Sequence, residues 1–143
     1  MKILVMGLPG SGKTWMAQRL SGFLNAAWFN ADAVRKMCND WDFSEEGRRR
    51  QSERMFHYAT FEAVRARTVV ADFVCPTKEL RRVFNPDLVI FMDTIQKGRY
   101  EDTNTIFEPY ALDEPFNRIR IQEHKSDEDI RAIAHMIQRD YNV

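Results

Sequence analysis

The sequence predicts a three-layer α/β/α fold, in which helices cover both faces of a mostly parallel sheet of about five strands. Three observations predict this α/β fold. Short apolar runs alternate with segments of helical periodicity along the chain. The runs are apolar throughout, as expected for strands that are buried on both faces of a parallel sheet. A glycine-rich turn directly follows the first run, at the edge where such sheets bind their ligands.

The first strand and the first helix flank this turn. The Lys-Ile-Leu-Val-Met run predicts a strand over residues 2–6. Apolar side chains then recur at helical spacing and predict a helix over residues 12–24. These side chains are Met16, Leu20, Phe23 and Leu24.

A short strand, a short helix and a long helix are predicted next. The Ala-Ala-Trp-Phe-Asn segment indicates a strand over 26–30, and a helix over 31–39 follows it. Ser44 and the two glutamates after it suit the unpaired amide groups and the dipole at the start of a helix. A third helix is therefore expected over 44–67.

The middle of the chain continues the alternation. β-branched and aliphatic residues indicate a third strand over 68–73, which is broken by Cys75-Pro76 because proline cannot pair in a strand ladder. A short helix is predicted over 78–84. A fourth apolar strand is predicted over 87–92.

The last third of the chain is less regular. Residues 94–117 are polar and contain prolines, which predicts a long loop of the kind that serves as a lid. A fifth strand is predicted over 118–121, and a helix begins at Ser126, where Asp129 completes a capping-box pattern. This helix is expected to bury Ile130, Ile133 and Ile137. Its apolar face packs either on the sheet or on a second subunit, so the sequence leaves a homodimer open.

Length, charge and cysteine content bound the class of protein. The 143 residues, 44% of them hydrophobic, suit a single domain over 1–143. Lys+Arg and Asp+Glu number 21 each, so no net charge draws the chain to nucleic acid. No apolar run is long enough to cross a membrane, and a cytoplasmic protein is expected. Cys38 and Cys75 are interpreted as reduced, structural residues.

The glycine-rich turn carries the clearest functional signal. Gly7-Leu8-Pro9-Gly10-Ser11-Gly12-Lys13-Thr14 fits the pattern G-x-x-x-x-G-K-[ST] and lies between a strand and a helix, as in P-loop NTPases. Its glycines let backbone amides face a polyphosphate, so binding of ATP or GTP is favoured over a turn without ligand. Lys13 is expected to meet the β and γ phosphate oxygens, and the Thr14 hydroxyl to ligate Mg²⁺.

Other motifs narrow the class of P-loop protein. The chain has no Asn-Lys-x-Asp motif for guanine. Phe73 follows Asp72 where an ATPase motor has a glutamate that activates water. Transfer of a phosphoryl group to a bound acceptor is therefore favoured over hydrolysis. A nucleotide-binding module without turnover is the alternative from another class.

Polar residues near the strand ends are candidates for the acceptor side. Asp32 either acts on a hydroxyl or caps the second helix, and Arg35 either binds an anion or is a surface charge. Asp72 is either a partner of Mg²⁺ or a strand-end residue that caps a turn. The third helix carries further candidates, although an arginine run such as 48–50 is usually solvated. These candidates are Arg48, Gln51 and Arg54.

Several blocks resemble the adenylylsulfate kinase family, which phosphorylates the 3′-hydroxyl of adenosine 5′-phosphosulfate (APS). The phosphate loop is the first block. Asn30-Ala31-Asp32-Ala33-Val34-Arg35 resembles the family's Asp-Gly-Asp-Asn-Val-Arg, and Phe43-Ser44-Glu45-Glu46-Gly47-Arg48 resembles its Gly-Phe-Ser-x-Glu-Asp-Arg. Phe73-Val74-Cys75-Pro76 is similar to its Phe-Ile-Ser-Pro. Lys97-Gly98-Arg99-Tyr100 is more weakly similar to its Lys-Gly-Leu-Tyr.

The resemblance implies roles for individual residues. Asp32 acts on the acceptor hydroxyl, and the rings of Phe43 and Phe73 flank the adenine of the acceptor. Gln51 and Lys97 add polar contacts. The phosphosulfate group is held by Arg35, Arg48 and Arg54. The resemblance also implies ATP and Mg²⁺ as cofactors, a small-molecule acceptor and a place in sulfate assimilation.

The chain differs from the family pattern at several positions. Asn30 replaces an aspartate, Ala33 an asparagine and Gly47 an aspartate, and Asp72 is an acid where the family has none. The basic segment expected after Lys-Gly-Leu-Tyr is replaced by the shorter, acidic stretch 101–108.

The expected activity is transfer of the γ-phosphoryl group of Mg-ATP to a hydroxyl of a small anionic acceptor. APS is the leading acceptor. A nucleoside, a sugar or a polynucleotide 5′-end is the alternative acceptor class.

Overall fold

A computed structural model describes residues 1–143 of the chain. The strands are β1 Lys2–Met6, β2 Ala27–Asn30, β3 Val69–Asp72, β4 Leu88–Met92 and β5 Asn117–Ile121. The helices are α1 Lys13–Leu24, α2 Ala31–Cys38, α3 Glu45–Ala63, α4 Lys78–Phe84, α5 Glu101–Ile106 and α6 Asp127–Tyr141. The strands form one sheet in the order β2-β3-β1-β4-β5, and every neighbouring pair is parallel. The predicted α/β fold with five parallel strands is confirmed.

The sheet separates two apolar cores. Successive side chains of a strand point to opposite faces, so Leu4 and Met6 of β1 pack on one side and Ile3 and Val5 on the other. The first core contains buried residues of α3 and α4, and the second contains those of α1 and α6. All residues of β1 and β4 are buried, which explains why these segments are apolar apart from Lys2.

The strand order determines where a ligand-binding crevice forms at the carboxyl ends of the strands. β1 lies between β3 and β4, so the chain leaves β1 at the point where the strand order reverses, and a crevice opens there beyond the carboxyl ends. Asn30 pairs in register with Asp72, and Asp72 with Val5. The polar ends of β2 and β3 therefore lie directly beside the turn that follows β1.

The predicted end of the third helix is wrong by four residues, because α3 ends at Ala63 rather than at residue 67. Ala66 has a left-handed backbone conformation with φ 62°, and the amide of Arg67 bonds back to the carbonyl of Glu62. This turn is normally marked by glycine, and the sequence has none here. Every other predicted helix or strand boundary lies within one residue of the observed one.

The predicted loop over 94–117 contains a helix that the sequence reading missed. α5 has six residues with little intrinsic helix preference, and its N-cap has no side-chain hydrogen bond. Contacts with the rest of the protein stabilise it instead. Asn104 bonds to Gly98, and Arg48 of α3 reaches Asp102 and Thr103.

The segment after α5 is fastened by a buried ion pair. Arg81 of α4 is fully buried and donates to both carboxylate oxygens of Glu114, at 2.7 and 2.9 Å. The same guanidinium donates to the carbonyls of Cys75 and Glu108, both at 2.9 Å. One side chain thus joins α4, the turn after β3 and the segment that follows α5.

The capping box predicted at Ser126 and Asp129 is present at the start of α6. This helix packs against α1 and the sheet, with Ile130 and Ile137 fully buried, while Ile133 is only partly buried. No helix of the protein is both long and apolar enough to span a membrane.

Glu114→Gln should destabilise the protein by about 3 kcal/mol in urea unfolding, because it leaves the buried charge of Arg81 without a counter-charge. Asp113→Asn is the matched control, since Asp113 forms an exposed ion pair with Lys78 at 3.3 Å and its loss should change stability little. An equal loss of stability in the two variants would show that the buried ion pair stabilises the protein no more than the exposed one.

Candidate active site

The glycine-rich turn folds as a phosphate-binding loop. A Cβ atom at Gly7 would lie 2.7 Å from the carbonyl oxygen of Met92, so no side chain fits there. Gly12 caps α1 with φ 95°, a conformation that favours glycine. The backbone thereby turns directly into the N-terminus of α1, where unpaired amide groups and the helix dipole favour an anion.

Lys13 is a buried ammonium group beside this turn. The residue is 9% exposed, and its Nζ donates to the carbonyl of Leu8 at 3.0 Å and forms no ion pair. Burial lowers the pKa of Lys13 to about 8; the carboxylates of Asp72 and Asp32 oppose this effect, and the charge of Arg99 adds to it. A charge held in this way is ready to pair with an incoming phosphate.

Asp72 ends β3 and joins three elements. Its carboxylate accepts hydrogen bonds from Trp28 Nε1 at 2.6 Å, from Asn30 Nδ2 at 2.9 Å and from Thr14 Oγ1 at 3.4 Å. Burial raises the pKa of Asp72, while these hydrogen bonds and Lys13 oppose the shift. Of the two interpretations of Asp72, the turn cap is not observed, since all three partners are side chains.

Asp32 lies in the first turn of α2 and faces the same space. The alternative that it caps this helix is wrong, because the cap is Asn30, whose side chain accepts from the amide of Ala33 at 3.0 Å. The carboxylate of Asp32 is exposed and has no hydrogen bond or ion pair in the structure. It is therefore free to accept a proton or a hydrogen bond from a ligand.

A cleft of about 580 Å³ opens in front of the phosphate loop. The loop, α2, α3, the end of β3 and the segment before α5 bound it. Among the predicted site residues, those that line it are Pro9, Gly10, Lys13, Thr14, Asp32, Arg35, Phe43, Arg48, Gln51, Asp72 and Phe73. Gly7, Leu8, Ser11 and Gly12 complete the loop without lining the cleft.

Two residues predicted to bind the acceptor lie outside the cleft. Arg54 donates to Gln51 Oε1 at 2.7 Å and to Asp40 Oδ2 at 2.8 Å, so it fixes the side-chain amide of Gln51 without lining the cleft itself. Lys97 is exposed and pairs with Glu101 at 3.5 Å. Neither cation faces the space in front of the phosphate loop.

Two arginines present their guanidinium groups to the cleft. Arg35 is 4% exposed, donates to backbone carbonyls and stacks on the ring of Phe43, with 4.3 Å between the guanidinium carbon and the ring centroid. Arg48 donates to the carbonyl of Phe43 at 2.8 Å and lies 3.4 Å from Asp102. The solvated-face alternative applies to Arg49, which is half exposed, but not to Arg48.

The cleft also contains residues that the sequence reading missed as site residues. Asn30, Trp41, Arg99 and Tyr100 line it. Trp41 lies in an irregular loop that has no periodicity to mark it. The sequence marks Trp41 only as a large aromatic residue in a polar segment. It marks Arg99 only as a difference from the Lys-Gly-Leu-Tyr pattern.

Comparison with known protein families matches the part of the chain up to residue 94. A family model described as adenylylsulphate kinase matches residues 1–94. The matched part includes the phosphate loop, Asp32 and Arg48, and it ends before the segment that carries Lys97 and Arg99. No curated protein matches the chain.

Several solved kinases have a similar fold. The APS kinase of Mycobacterium tuberculosis in complex with AMPPNP and APS gives a TM-score of 0.71 at 19% identity, over 99% of this chain and 97% of that chain. A sugar kinase from Janibacter sp. gives 0.72 at 17% identity, over 94% and 92% of the two chains. The shikimate kinase of Aquifex aeolicus gives 0.63 at 16% identity, over 99% of each chain.

The affinity for a nucleoside triphosphate should depend on pH through Lys13. The free protein loses the Lys13 proton as pH rises through about 8, whereas a bound polyphosphate keeps it. The Lys13 contribution to binding of Mg-AMPPNP should therefore be constant below pH 7, with about half a proton taken up at pH 8 and close to one at pH 9, where the affinity falls by up to about tenfold per pH unit.

Calorimetry at pH 7, 8 and 9 in buffers of different ionisation enthalpy measures both the affinity and the proton uptake. Lys13→Met removes the titrating group and is the control, whose weaker binding should not change over this range. A wild-type affinity that is equally independent of pH would contradict the assignment.

Proposed function

The chain belongs to the adenylylsulphate kinase family, and from that premise we propose that it transfers the γ-phosphoryl group of ATP to the 3′-hydroxyl of APS. The observation that carries this proposal is the cleft itself, in which the phosphate loop faces a free carboxylate and two arginines. This activity gives the chain a place in sulfate assimilation.

The phosphate loop binds ATP, the donor of the phosphoryl group. The ammonium group of Lys13 neutralises charge that builds up on the phosphate oxygens during transfer. Thr14 and Asp72 offer a hydroxyl and a carboxylate 3.4 Å apart, a set of oxygen donors that fits Mg²⁺. When bound, Mg²⁺ supplies positive charge that offsets the negative charge of the β and γ oxygens.

Asp32 handles the proton of the acceptor. Its carboxylate is the one acid of the cleft without a bound partner, since Asp72 accepts three hydrogen bonds and Asp102 pairs with Arg48. As the acceptor oxygen forms its bond to the γ-phosphorus, the bond to the bridging oxygen breaks, and the hydroxyl proton passes to Asp32.

The acceptor side suits a planar group with an anionic end. Phe43 and Phe73 both line the cleft and offer two ring surfaces to an adenine base. Arg35 and Arg48 face the same space and suit a phosphosulfate group. Gln51 also lines the cleft, with its side-chain amide held by the carbonyl of Ala31 and the guanidinium of Arg54.

A second candidate acceptor is favoured by Asp102. This carboxylate lies 3.4 Å from Arg48 and offsets part of its charge. An acceptor with less negative charge than phosphosulfate, such as a hydroxylated carboxylic acid or a sugar, fits that balance. Sugar and shikimate kinases share the fold.

Lys13→Ala should lower transfer by at least about 100-fold while the fold is retained, because the main cation at the phosphates is lost. The assay follows γ-labelled phosphate from Mg-ATP into APS and into a panel of sugars, nucleosides and hydroxy acids, with an acceptor-free control. Circular dichroism and thermal melting check the fold of the variant.

Label in 3′-phosphorylated APS supports the leading acceptor, and label in another hydroxyl compound moves the assignment to it. Tight ATP binding with no transfer to any acceptor would instead indicate a nucleotide-binding module. Wild-type activity in Lys13→Ala would rule out the mechanism.

Arg48→Ala should raise the KM for the acceptor by about 10- to 100-fold, because a charged hydrogen-bond donor to an anion is worth about 1.5–3 kcal/mol. The KM for ATP should stay unchanged in initial-rate measurements. Arg49→Ala is the matched control on the same helix, since Arg49 pairs with Glu79 and does not line the cleft. An equal effect of both substitutions on the acceptor KM would remove Arg48 from the site.

A further inference from the structure

Residues 94–100, called the strap below, run along the outer side of the phosphate loop. Thr94 Oγ1 donates to the carbonyl of Ser11 at 2.8 Å. A Cβ atom at Gly98 would lie only 3.2 Å from the carbonyl oxygen of Pro9, so the strap backbone lies against the loop at this point. The strap is thus in contact with the loop near both of its ends.

Asn104 of α5 fixes the strap from the other side. Its Oδ1 accepts from the amide of Gly98 at 2.8 Å, and its Nδ2 donates to the carbonyl of Gly98 at 2.9 Å. Two hydrogen bonds from one side chain to both polar groups of one residue define the position and the orientation of that residue. The next residue along the chain is Arg99.

Arg99 differs from the other cations of the cleft. Lys13 donates to the carbonyl of Leu8, and the two arginines at positions 35 and 48 donate to carbonyl or carboxylate oxygens. The guanidinium of Arg99 has no hydrogen bond and no ion pair, and its one contact of this kind is the ring of Tyr100. It lines the cleft beside Pro9, Gly10 and Lys13.

Arg99 and Lys13 therefore both line the cleft at the phosphate loop. Burial is the main cause of the lowered pKa of Lys13, and the charge of Arg99 is a smaller cause, which the carboxylates of Asp72 and Asp32 oppose. An anion bound in the cleft would reduce the repulsion between the two cations. The other cation of the strap, Lys97, pairs with Glu101 and does not line the cleft, so Arg99 is the one cation that the strap contributes there.

We propose that Arg99 is a catalytic residue whose guanidinium contacts the transferring phosphoryl group, and that Asn104 is the positioning residue that holds it there. This inference rests on the proposed function and adds a residue to it. Arg99 forms no covalent bond, since it only offsets negative charge on the equatorial oxygens while the bond from phosphorus to the bridging oxygen breaks and the bond to the acceptor forms.

The sequence context agrees with this assignment. The family pattern has leucine at the place of Arg99 and a basic segment after it, whereas this chain has the acidic stretch 101–108 there. Arg99 lies in a segment that the family match does not reach, so that match assigns it no role.

Steady-state kinetics of phosphoryl transfer test the role of Arg99. Arg99→Ala should lower kcat by at least about 100-fold, with the KM for ATP changed by less than about threefold, because the contact forms mainly in the transition state. Arg99→Lys should recover part of the rate, since it keeps the charge without the fork of donors. Gln96→Ala, at an exposed strap position, is the control and should leave kcat unchanged.

The positioning role of Asn104 is tested by a double-mutant cycle. Asn104→Ala should lower kcat by about tenfold, and the double variant with Arg99→Ala should be no slower than Arg99→Ala alone, because Asn104 acts through Arg99. Independent, multiplied losses would overturn the positioning role.

The wild-type assay separates this inference from the proposed function. A wild-type chain that transfers to some acceptor while Arg99→Ala keeps its kcat, or loses only ATP affinity, would overturn the inference alone. A wild-type chain that transfers to no acceptor would overturn both.

Discussion

The hydrogen bonds to the buried carboxylate of Asp72 hold together the functional edge of this protein. A carboxylate that leaves water is costly unless donors satisfy it, and here the donors come from α1, from the side chain of Trp28 in β2 and from the end of that strand at Asn30. The phosphate loop and the acceptor-side elements are therefore tied to the same group. β2 and β3 are neighbouring strands, so Asn30 and Asp72 meet at the carboxyl ends of the strands beside the phosphate loop.

The cleft carries more positive than negative side chains, although the chain as a whole is neutral. Four cations line it, Lys13, Arg35, Arg48 and Arg99, against the three acids Asp32, Asp72 and Asp102. One positive charge is therefore in excess, and this balance favours an anionic ligand. The equal totals of basic and acidic residues in the whole sequence hide this local field. The net charge of the chain therefore said little about the charge of the site.

The sequence predicts the parts of the protein that depend on local pattern. The buried strands, the phosphate loop and the capping box at Ser126 follow from periodicity or spacing over a few residues. α5 was missed because its stability comes from Asn104 and Arg48 rather than from its own residues. Asn30, rather than Asp32, caps α2, and Arg54 lies behind Gln51; both depend on distances that no spacing in the chain reveals. The roles of the cleft residues in binding and catalysis stay predictions.

The proposed mechanism requires that an acceptor hydroxyl lie between the carboxylate of Asp32 and the phosphoryl group held by the loop. A crystal structure with AMPPNP, Mg²⁺ and APS measures this directly. We expect the 3′-hydroxyl within about 3.2 Å of Asp32 and in line with the γ-phosphorus, with the base between Phe43 and Phe73. An acceptor bound with its hydroxyl away from Asp32, or AMPPNP with its γ-phosphate outside the loop, would contradict it.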